Sequence, residues 1–296
     1  MKITVTGALG NISRVLTEKL IADGHEVKVI SSHAGRAMEI EKMNAIPLIG
    51  SVEDADFVRR SFEGSDAVYL MIPPDFKTPD YKTFTISVGR NYAEAIRETG
   101  VEHVVNLSST GSALAGKPPL TAYQNLEAWL DELSGINVLH LRPGGFYTNF
   151  YGAMGMIRHM GIIGNNFPDD VNLPMSHPAD IAEAAAKAFR TPFTGRNILY
   201  IVSDILNGKE IAEILGKAAG KPELQWVQFS DEQLLEGLLQ NGFSREAAQH
   251  YIVDMGIAVR EGILEKHYQQ NQYEVFGKRR FTEFAEEFAH IYRFNN

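Results

Sequence analysis

Residues Met1 to Ser13 read MKITVTGALGNIS, the stretch of this 296-residue chain that most restricts its fold. Lys2 to Thr6 alternate and favour a strand, Gly7 permits a tight turn, and Gly10 lets an anion approach the backbone with no Cβ in the way. From Asn11 to Asp23, the residues Ile12, Val15, Leu16 and Leu20 recur at helical spacing. A second strand at Glu26 to Ile30 closes a strand-helix-strand unit within about thirty residues. Such a turn collects unbonded amides and the positive end of a helix dipole, which together hold a diphosphate. Ser13 stands where a third glycine would allow close helix packing, and it is small enough to substitute. The expectation is a dinucleotide held at Gly7, Ala8, Leu9, Gly10, Asn11 and Ile12.

Strand and helix patterns then alternate. Strands are expected near Ile46–Ile49, Ala67–Ile72, His103–Ser109 and Asn137–Leu141, with helices near Asp54–Glu63, Phe84–Glu98 and Thr121–Leu133. That rhythm implies an α/β, doubly wound parallel sheet with helices on both faces, so Ala67–Ile72 is continuously apolar rather than alternating. Ligands of such sheets lie at the strand C-termini, where Gly7, Ser31, Met71, Ile72, Pro73 and Ser108 converge. Pro73-Pro74 ends strand pairing and shapes one wall.

Beyond Gly144 the character changes. Asn149 to Asp170 is rich in glycine, methionine and aromatics and is read as a mobile substrate-side segment. The rest is mainly helical, at Ala179–Phe189, Gly208–Ala219, Asp231–Leu239, Ser244–Glu265 and Thr282–Tyr292, with strands near Ile198–Val202 and Leu224–Phe229. The expected division is a dinucleotide domain over 1–150 and a smaller, mainly helical C-terminal domain over 151–296, whose segments can return to the first.

Composition excludes more than it names. With 44% hydrophobic residues the chain can bury a real core, and a net charge of −9 without a basic stripe argues against nucleic acid. The absence of cysteine rules out disulfides and thiolate chemistry, and it fits a cytoplasmic protein. No signal peptide pattern opens the chain and no apolar run approaches eighteen residues, so no membrane association is expected. The nine histidines show no metal-ligand spacing, and none is expected to hold a metal. His140 reads as a satisfied core histidine, Lys278-Arg279-Arg280 as a solvated helix entrance, and Asp180 as a helix-terminal cap.

The end of the second strand selects between cofactors. A carboxylate there would bond the ribose 2′-hydroxyl and repel a 2′-phosphate. This chain has Ser31, Ser32, His33 and Arg36 instead, which suits a 2′-phosphate because arginine gives forked, charge-assisted bonds to its oxygens. NADP is favoured, with NAD the alternative.

With these residues in view, the chain resembles an atypical member of the extended short-chain dehydrogenase/reductase superfamily, in the NmrA-like group that includes NADPH-dependent quinone oxidoreductases. VTGALGNI, HVVNLSS from His103, LEAWLDELSGINVLHLRPGGFYTNF from Leu126 and ADIAEAAAKAF from Ala179 carry the likeness. The resemblance implies a Rossmann fold, an NAD(P) site and a substrate cleft roofed by the C-terminal part. It also implies either a reductase or a protein that binds the cofactor only to sense it.

Short-chain reductases commonly pair a tyrosine with a lysine four residues on, and here those positions hold Tyr123 and Glu127. A carboxylate beside a tyrosine disfavours phenolate, the wrong direction for proton transfer near neutrality. The usual relay is therefore not expected, which also argues against a sugar-nucleotide epimerase. The candidate catalytic group is Tyr123, Ser108 and Glu127, with Lys117 as a replacement cation. Phe146, Tyr147 and Asn149, with Phe150, Tyr151, Met154 and Met156, are expected to line a flat apolar slot or, alternatively, to form core packing. Two readings follow: hydride transfer to a quinone-like or carbonyl acceptor, or a non-catalytic NADP(H) sensor with a protein partner. The chain is expected to be a monomer or homodimer.

Overall fold

A computed structural model describes residues 1–113, 121–191, 193–271 and 276–294. By internal contacts the chain divides into two compact units, one of residues 1–75, 80–142 and 181–199, the other of residues 76–79, 143–180 and 200–296.

The first unit opens with β1 (Lys2–Val5), α1 (Ser13–Ala22), β2 (Glu26–Ser31) and α2 (Ala37–Lys42), followed by β3 (Ile46–Ile49), α3 (Ala55–Phe62) and β4 (Ala67–Leu70). It continues through α4 (Tyr81–Thr99), β5 (His103–Leu107), α5 (Thr121–Glu132) and β6 (Asn137–Pro143). After β7 (Gly145–Phe146), α6 (Met154–Met160), β8 (Ile162–Asn165) and β9 (Leu173–Ser176), the chain enters α7 (Pro178–Arg190) and β10 (Arg196–Ile201), most of which belong to the first unit. The seven-stranded sheet has the order β10-β6-β5-β4-β1-β2-β3. The β1 strand lies parallel to both β2 and β4, so the winding reverses beside it and opens a crevice at its C-terminal end. This is the doubly wound architecture expected from the alternating pattern.

All four residues of β4 are fully buried, as a strand covered on both faces must be. One face packs Val68, Leu70, Val104 and Val138 against Val58 and Phe62 of α3, Tyr92 and Ile96 of α4, and Leu126 and Leu130 of α5. Each large side chain buried there contributes about 1.5–3 kcal/mol. Elsewhere α1 and α7 are joined by ion pairs of Lys19 with Glu183 at 2.6 Å and Arg190 with Asp23 at 2.5 Å. His140 is the satisfied core histidine expected, with Nδ1 3.1 Å from Asn106 Nδ2 and Nε2 3.1 Å from Asp131 Oδ1.

The second unit adds β11 (Asp204–Leu206), α8 (Gly208–Ala219), β12 (Gln225–Gln228), α9 (Asp231–Gln240), α10 (Arg245–Ala247), α11 (Asp254–Arg260), α12 (Ile263–Asn271) and α13 (Phe281–Phe294). The unit is mainly helical as expected and β12 is the strand expected near Leu224–Phe229, but β7, β8, β9 and β11 were not expected: β11-β9-β7 form a three-stranded sheet and β12 pairs with β8. These strands are only two to four residues long, too short for alternation to register. The stretch read as mobile, Asn149 to Asp170, holds a 3-10 turn at Tyr147–Ala153, then α6 and β8, because Ile157 and Ile163 are buried in the unit's core. The single helix expected over Ser244–Glu265 is interrupted by a π turn at Ala248–Val253 and ends at Gly262, whose φ is +68°.

The basic run is not simply solvated. Arg279 pairs with Asp180 at 2.5 Å and Arg280 donates to the Ser203 carbonyl at 2.9 Å. Asp180 is likewise more than a cap, for its carboxylate accepts from the Ser203 hydroxyl at 2.7 Å and the Arg279 amide at 3.2 Å. A second buried polar knot surrounds Asn166, whose Nδ2 donates to Asp231 at 2.8 Å and to the Val253 carbonyl at 3.0 Å. Gly256 presses on it so closely that a Cβ would lie 1.6 Å from Asn166 Oδ1. Arg260 donates two bonds to the Asp231 carboxylate, at 2.9 and 3.0 Å.

That fork holds the Asp231 carboxyl below the usual carboxylate range, against the opposing effect of burial. A depressed folded-state pKa gives stability that is present above the unfolded value, about 3.9, and is lost as pH falls through the folded value. Asp231→Asn should therefore lower the melting temperature at pH 7, and the gap to wild type should close as the pH is taken below about 4.

Candidate functional site

The crevice beside β1 is built on Gly7. Its φ is +83°, and a Cβ there would lie 2.4 Å from Met71 Cε and 3.0 Å from Ser13 Oγ, so only glycine fits the turn. Ser13 ties the incoming helix to the strand end by donating to the Thr6 carbonyl at 2.8 Å. Thr6 Oγ1 accepts from the Met71 amide at 2.7 Å, and Tyr92 donates to the Met71 carbonyl at 2.9 Å. The ends of β1 and β4 are thus fixed to each other. Sequence reading missed Thr6 and Tyr92, whose pairing with Met71 spans 65 and 21 positions and leaves no local signature.

Within the loop the amides divide into two sets. Those of Ala8 and Gly10 are engaged, donating to the Ile30 and Gly7 carbonyls at 3.1 and 3.3 Å. Those of Leu9, Asn11 and Ile12 bond to no acceptor among the described residues. No side chain caps α1, whereas Asp54, Asp80, Asn207 and Ser230 cap α3, α4, α8 and α9. Gly10 and Asn11 are exposed, and a Cβ on Gly10 would meet only the Gly7 carbonyl, at 3.3 Å. An uncapped helix start with open amides and an exposed glycine fits a diphosphate.

At the end of β2, Ser31 is buried and its hydroxyl closes a turn, accepting from the His33 amide at 3.1 Å and lying 3.2 Å from the His33 carbonyl. Ser31 therefore shapes the loop that presents Ser32, His33 and Arg36, all exposed. Among the described residues Arg36 makes no ion pair. The nearby acid Glu39 is paired with Arg14. Arg14 was overlooked, although a cation in the first turn of α1 opposes the helix dipole and is a legible anomaly.

Met71 and Pro73 are half-buried beside the loop, but Ile72 is only 3% exposed and packs into the core, leaving its backbone alone to face a ligand. Ser108, at the end of β5, is buried with its Oγ 2.7 Å from Ser112 Oγ. Tyr123 is half-buried on α5, packed against the core. Glu127, one turn on, is bound by Arg142, with Nε to Oε1 at 3.0 Å and Nη2 to Oε2 at 2.6 Å. Both carboxylate oxygens are held in a nearly buried fork, so Arg142 offsets the charge that the sequence sets one turn from Tyr123. Lys117 lies outside the described residues.

The expected slot residues belong to the second unit. Phe146 is half-buried and Asn149 exposed, but Tyr147 is fully buried, its ring 5.1 Å from that of Phe281 and 5.5 Å from that of Phe284, its hydroxyl donating to the Arg279 carbonyl. Burial first, then Asp204 and Asp180, push the Tyr147 hydroxyl well above the usual tyrosine range. Phe150 and Tyr151 pack on Phe281, Phe284 and Phe288. Of the two readings of this aromatic group, Tyr147 follows the packing one, because the apolar face of α13 must be covered. Among the described residues no cluster of histidine and acidic side chains could hold a metal, and no helix is long and apolar enough to cross a membrane.

Two substitutions separate these contributions. Gly7→Ala should lower stability by at least about 1–2 kcal/mol, the cost of a left-handed alanine, with displacement of Met71 added; thermal unfolding would measure it. Arg142→Met leaves a desolvated carboxylate and should cost about 3–5 kcal/mol in denaturant unfolding, part of which Arg142→Met with Glu127→Leu restores.

Comparison with known proteins agrees with this geometry. The NmrA-like family model matches residues 1–288. Among solved structures, the triphenylmethane reductase of a Citrobacter species superposes with a TM-score of 0.80 at 17% identity, over 98% of this chain and 100% of that one. The NADPH-dependent quinone oxidoreductase of Escherichia coli, solved with NADPH, gives 0.79 at 17% identity, over 98% and 99%. A nucleoside-diphosphate-sugar epimerase of Staphylococcus aureus gives 0.78 at 18%, over 97% and 100%. At such identities the structures share the fold, and the family match over nearly the whole length shows that this chain belongs to the NmrA-like family.

Proposed function

We propose that the protein binds NADP(H) in its first unit and transfers hydride to a small, quinone-like or carbonyl acceptor. The observation that carries this reading is the pairing of three open amides, at Leu9, Asn11 and Ile12, with a second-strand loop that presents Arg36 and lacks a free acid. The amides would hold the diphosphate, and Ser32, His33 and Arg36 would hold the 2′-phosphate. Met71 and Pro73 would bound the nicotinamide. When bound, the reduced nicotinamide supplies the hydride. The chain contributes position: the Thr6, Met71 and Tyr92 bonds keep the cradle in register with the neighbouring strand end, and the Arg142–Glu127 fork fixes α5, and with it Tyr123, against β6. The solved quinone oxidoreductase with NADPH and the Citrobacter reductase solved with NADP(H) support the choice of cofactor.

A second reading, a redox sensor that binds NADP(H) without turnover, draws on one observation. Where the common relay has a lysine, this chain has Glu127, and that carboxylate is held by Arg142. The proposal places the protein as a soluble, small-molecule enzyme of the cytoplasm.

Calorimetry and nicotinamide absorbance test both. NADPH should bind at least about tenfold more tightly than NADH, a difference of about 1.4 kcal/mol, and Arg36→Glu should remove that preference. Gly10→Asp should abolish binding while leaving the melting temperature within a few degrees of wild type. Oxidation of NADPH by one or more of a panel of quinones supports the reductase. Tight binding without consumption supports the sensor, and no binding of either nucleotide rejects both.

A further inference from the structure

Arg14 is the charged side chain in the first turn of α1, and its sign is wrong for that place. A cation there faces the positive end of the helix dipole, so its own helix does not account for it. Its guanidinium reaches α2 instead, where Nη2 donates to Oε1 of Glu39. The two side chains are 40% and 49% exposed, and an ion pair so open to water holds its members loosely.

The first unit fixes where this pair lies. The Arg14 amide donates to the Gly10 carbonyl at 3.0 Å, so the residue sits one turn beyond the exposed glycine of the β1 turn. Glu39 follows Arg36 by three positions, in the first turn of α2. The ion pair therefore joins the helix that opens at the amide cradle to the helix that follows the second-strand loop.

Charge gives the pair its importance. From Ser31 to Lys42 the chain carries Arg36 and Lys42 against Glu39 and Glu41, which cancel when histidine is neutral. A phosphate monoester bears about −1.5 to −2 at neutral pH. A loop of zero net charge attracts it little, and a free carboxylate one helical turn from Arg36 repels it. Arg14, coming from outside the loop, neutralises that carboxylate and supplies the missing cation.

We propose that Arg14 is the second cation for the 2′-phosphate of NADP(H), and that Glu39 is its resting partner, displaced when the phosphate binds. The inference rests on the NADP(H) reading above and deepens it by naming the pair that sets selectivity. The phosphate carries more charge than one carboxylate, so it takes the guanidinium from Glu39. NAD(H) has a neutral hydroxyl at that position and leaves the ion pair closed. Glu39 thus weakens NADP(H) binding by competing for Arg14, and has no such effect on NAD(H).

Calorimetry of the full-length protein with NADPH and with NADH, which differ in the 2′-phosphate alone, reads the effect without turnover. Arg14→Met should weaken NADPH by at least about tenfold, the strength of one charge-assisted hydrogen bond, and leave NADH within about twofold of wild type. Arg14→Lys, which keeps the charge, should retain most of the preference. Glu39→Gln should tighten NADPH by about two- to fivefold, the strength of an exposed ion pair, with NADH unchanged. If the pair is only a strut between α1 and α2, both neutral variants should lower the melting temperature and keep the wild-type ratio of NADPH to NADH affinity. That ratio unchanged in Arg14→Met, or NADPH weakened in Glu39→Gln, would overturn the proposal. Should Arg36→Glu still abolish the preference in that case, the NADP(H) reading stands without it. A wild-type protein that binds the two nucleotides equally would overturn both.

Discussion

The left-handed turn at Gly7 governs the rest of the first unit. It reverses the chain at the end of β1 so that α1 starts against the strand it has just left, and Ser13 closes that contact by bonding the Thr6 carbonyl. Because the sheet winds in opposite senses on the two sides of β1, the same turn faces the gap between strand ends that a parallel sheet leaves open. Thr6, Met71 and Tyr92 make that gap rigid by hydrogen bonds between β1, β4 and α4. A diphosphate bound there meets amides already in place, so little ordering accompanies binding.

Electrostatics then sorts the charges around this scaffold. The cations nearest the α1 start fall into two classes, Arg14 paired with Glu39, and Arg36 without an ion pair among the described residues. Arg142 serves an inward purpose, holding Glu127 in a fork that is nearly buried. That pair is internally balanced and positions α5 against β6. In the second unit Asp180 and Asp231 are structural anchors of the same kind, each tied by an arginine from a later segment.

How far the sequence revealed this depends on the range of each interaction. The β1 turn, the buried β4 run and helices α1, α3, α4, α5 and α7 follow from local patterns and lie close to where the sequence placed them, whereas the six-residue α2 was not expected. The short strands β7, β8, β9 and β11 are stabilised by partners from 29 to 63 residues away and carry no local period, so they are not legible in the sequence. Glu127 shows the same limit at the level of a site. Its position relative to Tyr123 was legible, but its partner, fifteen residues on in β6, was not, and that partner holds both carboxylate oxygens. Tyr147 was legible as an aromatic near a strand exit, while its enclosure by Phe281 and Phe284 depends on a helix more than a hundred residues away.

An amide-resolved NMR titration with NADPH asks whether main-chain amides at the start of α1 grip its diphosphate. The Leu9, Asn11 and Ile12 amides should shift strongly and saturate together, while the Ala8 amide, already bonded to the Ile30 carbonyl, should keep its slow exchange with solvent. Saturating NADPH that perturbs none of those three amides, or perturbs only residues of the second unit, would contradict it.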